Sequence, residues 1–116
     1  MGLYNFKPRF VDAILSGAKT HTIRATRKHA DVPGRTMHLY VGLRQKGARL
    51  LMRRRCVRVQ DVEITALGVT IDGVDLDQDE LDALARSDGF PHGWPQMLSF
   101  WTGRLPFVGN IYHWGA

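Results

Sequence analysis

Residues 17–24 read Gly-Ala-Lys-Thr-His-Thr-Ile-Arg, and this stretch decides how the N-terminal half of the chain is organised. Gly17 follows an apolar helical repeat and is placed to end a helix in a left-handed conformation. Lys19 then falls in the turn. The β-branched residues that follow predict a strand over Thr20–Ala25. The stretch is therefore a helix end, a tight turn and the start of a sheet.

Alternation along this strand places Thr20, Thr22 and Arg24 on one face. His21 and Ile23 take the other face, with Ile23 directed into the core. Two hydroxyls and a guanidinium beside a lysine can bind a phosphate or a carbonyl oxygen, or read a base edge. They can also supply a hydroxyl nucleophile if the lysine acts as a base. A solvated strand face is the plain alternative, and spacing does not decide between these interpretations.

Outward from this stretch, short strands outnumber helices. We predict strands at Leu3–Phe6, Thr36–Leu43, Leu50–Ile64, Val69–Ile71 and Phe107–Trp114, and helices at Pro8–Ser16, from the Asp77 cap to Gly89, and from Pro95 to Gly103. Because the strands are mostly consecutive and show no βαβ repeat, the order predicts an α+β fold. We expect a small β-barrel or curled sheet of about five to six strands with helices at its ends.

Length and composition limit the class of protein. A chain of 116 residues with 44% hydrophobic and 23% charged residues predicts one packed domain over residues 1–116. No apolar run approaches the roughly 20 residues that a membrane helix needs, and the N-terminus lacks the pattern of a secretory signal. Cys56 is the only cysteine, which excludes an internal disulfide. We therefore expect a cytoplasmic protein with no membrane partner.

The charge distribution is asymmetric. Residues 1–60 hold fourteen Lys or Arg and two acidic residues, whereas residues 61–116 hold two and nine, within a net charge of +5. A basic half favours a polyanionic partner, of which nucleic acid is the commonest. Packing of the two halves against each other would partly offset this charge. No obligatory protein partner is indicated.

A run of arginines lies on the predicted strand Leu50–Ile64. Alternation places Arg54 and Arg58 on one face of their strand and Arg53 and Arg55 on the opposite face. An RNA-backbone track along Arg54 and Arg58 is one interpretation, and a solvated strand is the other.

Other residues are further candidates for ligand contact. Arg27 and Lys28 lie in a predicted loop that can close over an RNA backbone. Trp94 is the best candidate for stacking on a base, since Trp101 falls on the apolar side of a helix. The five histidines show no helical i, i+4 pair. We predict no metal and no cofactor.

Two motifs resemble the signature of the ASCH domain family. The first is Lys7-Pro8, Ile14-Leu15-Ser16-Gly17 and Lys19-Thr20-x-Thr22-Ile23-Arg24; the second is Ser87-Asp88-Gly89-Phe90 with the following helix that carries Met97, Phe100 and Trp101. The resemblance spans residues 3–113, and it implies a PUA-like β-barrel whose cleft accepts a nucleoside or RNA.

The Lys-Thr-x-Thr-Ile-Arg form is similar to the N4-acetylcytidine amidohydrolase branch of that family. This similarity implies a catalytic group of Lys19, Thr22 and Asp88 that hydrolyses an N4-acyl amide of cytidine. Substrate-binding residues are then Arg24 together with Thr20, Lys7 and Trp94. The branch carries Glu in place of the aspartate, and a displacement of about 1 Å can cost on the order of 100-fold in rate. A non-catalytic RNA-binding module and a ribonuclease that uses the same cleft are the alternatives.

Overall fold

The computed structural model describes residues 2–115 and has a mixed α+β architecture of seven strands and three short helices. The strands are β1 (Gly2–Phe6), β2 (His21–Ala25), β3 (Thr36–Val41), β4 (Arg49–Thr65), β5 (Gly68–Ile71), β6 (Val74–Asp75) and β7 (Phe107–Trp114), and the helices are α1 (Val11–Ser16), α2 (Gln78–Ser87) and α3 (Trp94–Trp101). The predicted α+β class is confirmed. The sequence analysis missed the two-residue strand β6. Within residues 2–115, every helix falls short of what a membrane crossing requires.

Strand β4 organises the sheet. Its first part pairs with β3 and its later part pairs with β7 and β5, all antiparallel. Strand β1 adds to β3 in parallel, and β2 adds to β7 antiparallel. The path β2-β7-β4-β3-β1 therefore has β2 and β1 as its two ends. Backbone pairing does not join these ends in the described part of the chain, so the sheet is open.

The two ends of that path nevertheless approach each other. Arg24 in β2 donates a hydrogen bond from Nη2 to the backbone carbonyl of Asn5 in β1, at 2.7 Å. A side chain thus bridges the gap where a strand-to-strand ladder is missing. This gap matters because a cleft lined by residues of both strands opens there.

Local signals set the ends of the helices. Pro8–Phe10 forms a 3₁₀ turn before α1, so the predicted helix over Pro8–Ser16 is α-helical only from Val11. Gly17 ends α1 with φ of 85°, a backbone conformation that favours glycine. The predicted capping box at α2 is present, since the side chains of Asp77 and Glu80 each accept from the other residue's backbone N–H.

A bulge in β4 corrects the predicted arrangement of the arginines. The register with β7 shifts between Cys56 and Arg58, so that two steps along β4 match one step along β7. Arg54 lies before this shift and Arg58 lies after it. Side-chain alternation therefore no longer places the two arginines on the same face of the strand. The expected common face of Arg54 and Arg58 was wrong. The bulge also leaves Val57 half exposed while Val59 packs against the core.

The core lies between the curled sheet and the helices. Its fully buried side chains include the large residues Tyr4, Met37, Leu39, Phe90 and Tyr112. A cluster of rings forms the part of this core nearest the gap between β1 and β2. It joins Phe10, Phe90, Phe100, Trp101 and Phe107 through centroid distances of 4.4–6.0 Å. Burial of these rings fixes the relative position of α1, α3 and β7.

Candidate functional site

A cleft of about 340 Å³ opens between the free edges of β1 and β2. The segments after α2 and the end of α3 close its other sides. Its lining combines polar and charged side chains with an aromatic wall: Asn5, Lys7, Lys19, Thr22, Arg24, Asp88 and Arg104 on one hand, and Phe6, Phe10, Phe90, Phe100, Trp101 and Phe107 on the other. A concave, mostly apolar site with a few convergent polar groups is typical of small-molecule binding.

Strand β2 supplies a hydroxyl and a guanidinium that touch. Arg24 Nε donates to Thr22 Oγ1 at 2.9 Å, so these two side chains share a face as the alternation predicts. The same guanidinium lies 4.8 Å from the centre of the Phe6 ring. Arg24 is therefore held on three sides, by β1, by Thr22 and by an aromatic face. Burial lowers its pKa to about 10.

The turn after α1 delivers Lys19 to the floor of the cleft. Its backbone N–H donates to Ala13 at 2.9 Å, which fixes the turn that Gly17 begins. The side chain is buried, and Nζ donates to both the side-chain Oδ1 and the backbone carbonyl of Asp88, at 2.5 and 2.8 Å. Nζ also lies 5.1 Å from the Phe10 ring centre. Its hydrogen-bond partner within residues 2–115 is thus Asp88, and Thr22 is a neighbour in the same cleft.

The Asp88-Gly89-Phe90 segment positions the carboxylate. Asp88 is the C-cap residue of α2. After it, the backbone N–H of Phe90 donates a hydrogen bond to the carbonyl of Ala85 at 3.0 Å. Gly89 has φ of 103°, and a Cβ there would lie 2.7 Å from Phe10 Cδ1. Only glycine allows this turn to pack so closely on the ring. The motif is therefore the structural device that aims Asp88 at Lys19.

The buried pair carries opposite charges. Burial lowers the pKa of the Lys19 ammonium, and the carboxylate of Asp88 opposes that shift. Burial alone would raise the pKa of Asp88. The neighbouring Lys19 charge and the His21 ring outweigh this effect and hold the pKa of Asp88 below its usual range. The site thus contains an anionic carboxylate against an ammonium that gives up its proton more readily than a free lysine.

His21 is a site residue that the sequence analysis missed. Its Nε2 lies 3.0 Å from Asp88 Oδ1, close enough for an ion pair although not aligned as a hydrogen bond. Its ring is 5.5 Å from the ring of His113, whose Nε2 is 2.8 Å from Gln60 Oε1. Burial, followed by the charges of His21 and Arg58, lowers the pKa of His113 to about 4. The signal in the sequence was that Lys19 and His21 are two residues apart and so point to the same side.

Of the three other residues predicted to bind substrate, one lines the cleft and two do not. Lys7 lies at the cleft mouth, exposed, with Nζ 5.0 Å from the Phe100 ring centre. Thr20 is exposed and precedes β2, so it does not line the cleft. Trp94 begins α3 and packs against the core. The expected contributions of Thr20 and Trp94 to the cleft were therefore wrong, because neither residue reaches it.

The predicted RNA-backbone residues also lie outside the cleft lining. Lys28 is exposed in the loop between β2 and β3. Arg27 covers the Tyr4 ring, with Cζ 4.1 Å from its centre, and so packs on the sheet rather than over the cleft. Arg54 is partly buried and Arg58 is exposed. These four cations do not form one surface with the cleft.

Arg104 is a second residue that the sequence analysis missed. It follows α3, donates from Nη2 to the backbone carbonyl of Phe100 at 3.1 Å, and lies 4.3 Å from the Trp101 ring centre. Its only signal was that it is one of the two arginines in the acidic half of the chain. Among the described residues, no group of His, Cys, Asp or Glu is arranged to hold a metal ion.

Comparison with known proteins gives no relative: no family model, no curated protein and no solved structure matches the chain. A functional proposal therefore depends on the geometry of the cleft and on the two sequence motifs that line it.

Proposed function

We propose that this protein is an ASCH-type domain with a PUA-like barrel, and that its cleft binds cytidine and hydrolyses an N4-acyl amide on it. The observation that carries the proposal is the convergence of Lys19, Thr22, Arg24 and Asp88 on one cleft. Two motifs that resemble that family supply these residues, and 69 positions separate Lys19 from Asp88. The approach of β1 to β2 through Arg24 and Asn5 supports the curled sheet that such a barrel requires.

The reaction begins with a proton shift inside the buried pair. Lys19 passes a proton along its hydrogen bond to Asp88, which leaves a neutral amine in the cleft. That amine takes the proton of the Thr22 hydroxyl, and the oxygen attacks the acyl carbonyl carbon. Arg24, which already contacts Thr22 Oγ1, stabilises the negative charge that develops on the carbonyl oxygen.

The second half releases both products. Asp88 gives its proton to the exocyclic nitrogen as the C–N bond breaks, so cytidine leaves with its amino group complete. Water then attacks the acyl ester on Thr22, and a proton returns to the hydroxyl as the carboxylic acid departs. One water is consumed for each amide hydrolysed. The aromatic wall, with Phe10 and Phe100, gives the pyrimidine an apolar surface to lie against.

The direct test incubates the purified protein with N4-acetylcytidine and follows the appearance of cytidine and acetate. Thr22→Val and Thr22→Ser are a matched pair, because one removes the hydroxyl and the other keeps it. We expect turnover by the unaltered protein, retention of activity in Thr22→Ser, and a loss of roughly a thousandfold or more in Thr22→Val. If Thr22→Val is as active as the unaltered protein, Thr22 is not the nucleophile. If the unaltered protein shows no turnover, the proposed reaction is wrong.

A non-catalytic RNA-binding domain is the second candidate, favoured by the exposed arginines of β4. It predicts tight binding of oligonucleotides with a steep dependence on salt, since each phosphate contact releases counterions. The nucleoside hydrolase predicts activity on a free nucleoside that changes little with salt. Binding and turnover measured from low to high ionic strength separate the two. Cleavage of a labelled RNA in the same samples would instead indicate ribonuclease activity in the cleft.

A further inference from the structure

The charges that line the cleft do not cancel. Its lining holds Lys7, Lys19, Arg24 and Arg104 against the single carboxylate of Asp88. Lys19 and Asp88 neutralise each other. Within residues 2–115, no carboxylate forms an ion pair with the remaining three cations. An excess of three positive charges around one cavity favours a ligand that carries negative charge, and a nucleoside carries none.

The three unmatched cations lie in two places. Arg24 is at the reacting end, where it contacts Thr22 and Asn5. Lys7 and Arg104 are both exposed at the mouth, and they lie on the same ring: Nζ of Lys7 is 5.0 Å and Cζ of Arg104 is 4.8 Å from the centre of Phe100. The mouth of the cleft is therefore a pair of cations on one aromatic ring.

Successive contacts connect the reacting end to this mouth. The Lys19 ammonium is 5.1 Å from the Phe10 ring, the Phe10 ring is 6.0 Å from Phe100, and Phe100 is 4.8 Å from Arg104. The N4 nitrogen and the 5′ carbon are at opposite ends of cytidine. A nucleoside whose N4-acyl group lies at Thr22 therefore directs its 5′ end along the aromatic wall to the mouth.

We infer that Lys7 and Arg104 form a phosphate subsite, and that the ligand of this cleft is an N4-acylcytidine that carries a phosphate ester at its 5′ position. The inference rests on the proposed function only in placing the base end of the ligand at Thr22. Lys7 and Arg104 each lie within 5.0 Å of the Phe100 ring centre and line the same cleft, and a guanidinium and an ammonium can both donate to the oxygens of one phosphate. The shared chemistry is a phosphate ester on the 5′ oxygen of cytidine, either the monoester of a free nucleotide or the phosphodiester that precedes the 3′-terminal cytidine of an RNA strand.

The test is equilibrium binding of cytidine, cytidine 5′-monophosphate and cytidine 3′-monophosphate, measured by calorimetry at constant ionic strength. We expect the 5′-monophosphate to bind at least tenfold more tightly than cytidine. Lys7→Gln and Arg104→Gln each reduce this gain, and the double variant removes it. An unchanged midpoint of urea unfolding in each variant shows that the fold is intact, so the lost gain is not a loss of structure.

Arg9→Gln is the matched control for loss of charge. Arg9 lies 5.0 Å from the Phe90 ring centre but does not line the cleft, so we expect it to leave the gain intact. An equal reduction in Arg9→Gln would show a general charge effect and overturn the subsite. A gain from the 3′-monophosphate as large as that from the 5′-monophosphate would overturn the orientation.

A dinucleotide with a 5′-phosphodiester on its cytidine distinguishes the two sources. Tighter binding of the dinucleotide than of the 5′-monophosphate assigns the subsite to an RNA end, and the reverse order assigns it to a free nucleotide. Turnover of N4-acetylcytidine without any phosphate gain would overturn the subsite and leave the proposed reaction standing. A phosphate gain without turnover of the acetylated nucleoside or its 5′-phosphate would support the subsite and overturn the proposed reaction.

Discussion

Lys19 Nζ lies 2.5 Å from Asp88 Oδ1, and both side chains are almost fully buried, with 4% and 7% of their surfaces exposed. This contact ties the turn before β2 to the end of α2. It is at once a structural link across the cleft and the source of the proton shift in the proposed reaction. Its consequences for stability and for activity can be measured separately.

Breaking the buried pair should cost far more than breaking an exposed one. We expect Lys19→Met to destabilise the fold by about 3–5 kcal/mol, because it leaves the Asp88 carboxylate buried without its main partner. Adding Asp88→Asn should recover part of that loss. The exposed pair Arg86–Asp82 is the control within the same chain, where the coupling should be far smaller because water screens both charges. Urea unfolding of both double-mutant cycles measures the two couplings, and equal values would contradict the argument.

Lengthening the carboxylate arm should harm the protein. The amidohydrolase branch that the two motifs resemble carries Glu where this chain has Asp88, and the shorter Asp88 already reaches both Lys19 and His21 in a buried setting. We expect Asp88→Glu to cost about 1–3 kcal/mol through overpacking and to lower turnover on the order of 100-fold through misplacement. Thermal unfolding and kcat/KM check the two effects. Higher activity in Asp88→Glu would show that the native site is not adapted to aspartate.

His21 should set the pH at which the site becomes active. Because the His21 ring helps to hold the pKa of Asp88 below its usual range, His21→Gln should raise that pKa. The acidic limb of the profile of kcat/KM against pH then moves to higher pH. The exposed His92 is the control, and His92→Gln should leave the profile unchanged. If the acidic limb stays in place in His21→Gln, His21 does not control the pKa of Asp88 and only packs against it.

His113 should make the fold less stable in mild acid. Its pKa is about 4 in the folded state against an ordinary value of 6.5, so between these values the unfolded chain binds a proton that the folded chain does not. The free energy of unfolding therefore rises with pH from about 4 to about 6.5 and then levels off. Because His113 is only partly buried, we expect a change of about 1 kcal/mol. Urea unfolding at several pH values should show this slope, and it should be absent in His113→Gln.

The sequence by itself determined the features that depend on near neighbours in the chain. Gly17 and the Asp77–Glu80 box set the end of α1 and the start of α2 through local backbone geometry and hydrogen bonds, and these two features are present as predicted. The shared face of Thr22 and Arg24 follows equally from the period of a strand. Such interactions need no knowledge of the rest of the molecule.

Only the tertiary structure decided which distant groups meet. The bulge between Cys56 and Arg58 broke the alternation on which the arginine track was predicted, and a bulge is set by how β4 fits two partners. The positions of His21 against Asp88 and of Arg104 beside Phe100 depend on how the helices pack on the sheet. Burial in a shared core couples residues that are far apart in the chain, and alternation within one strand carries no information about that coupling.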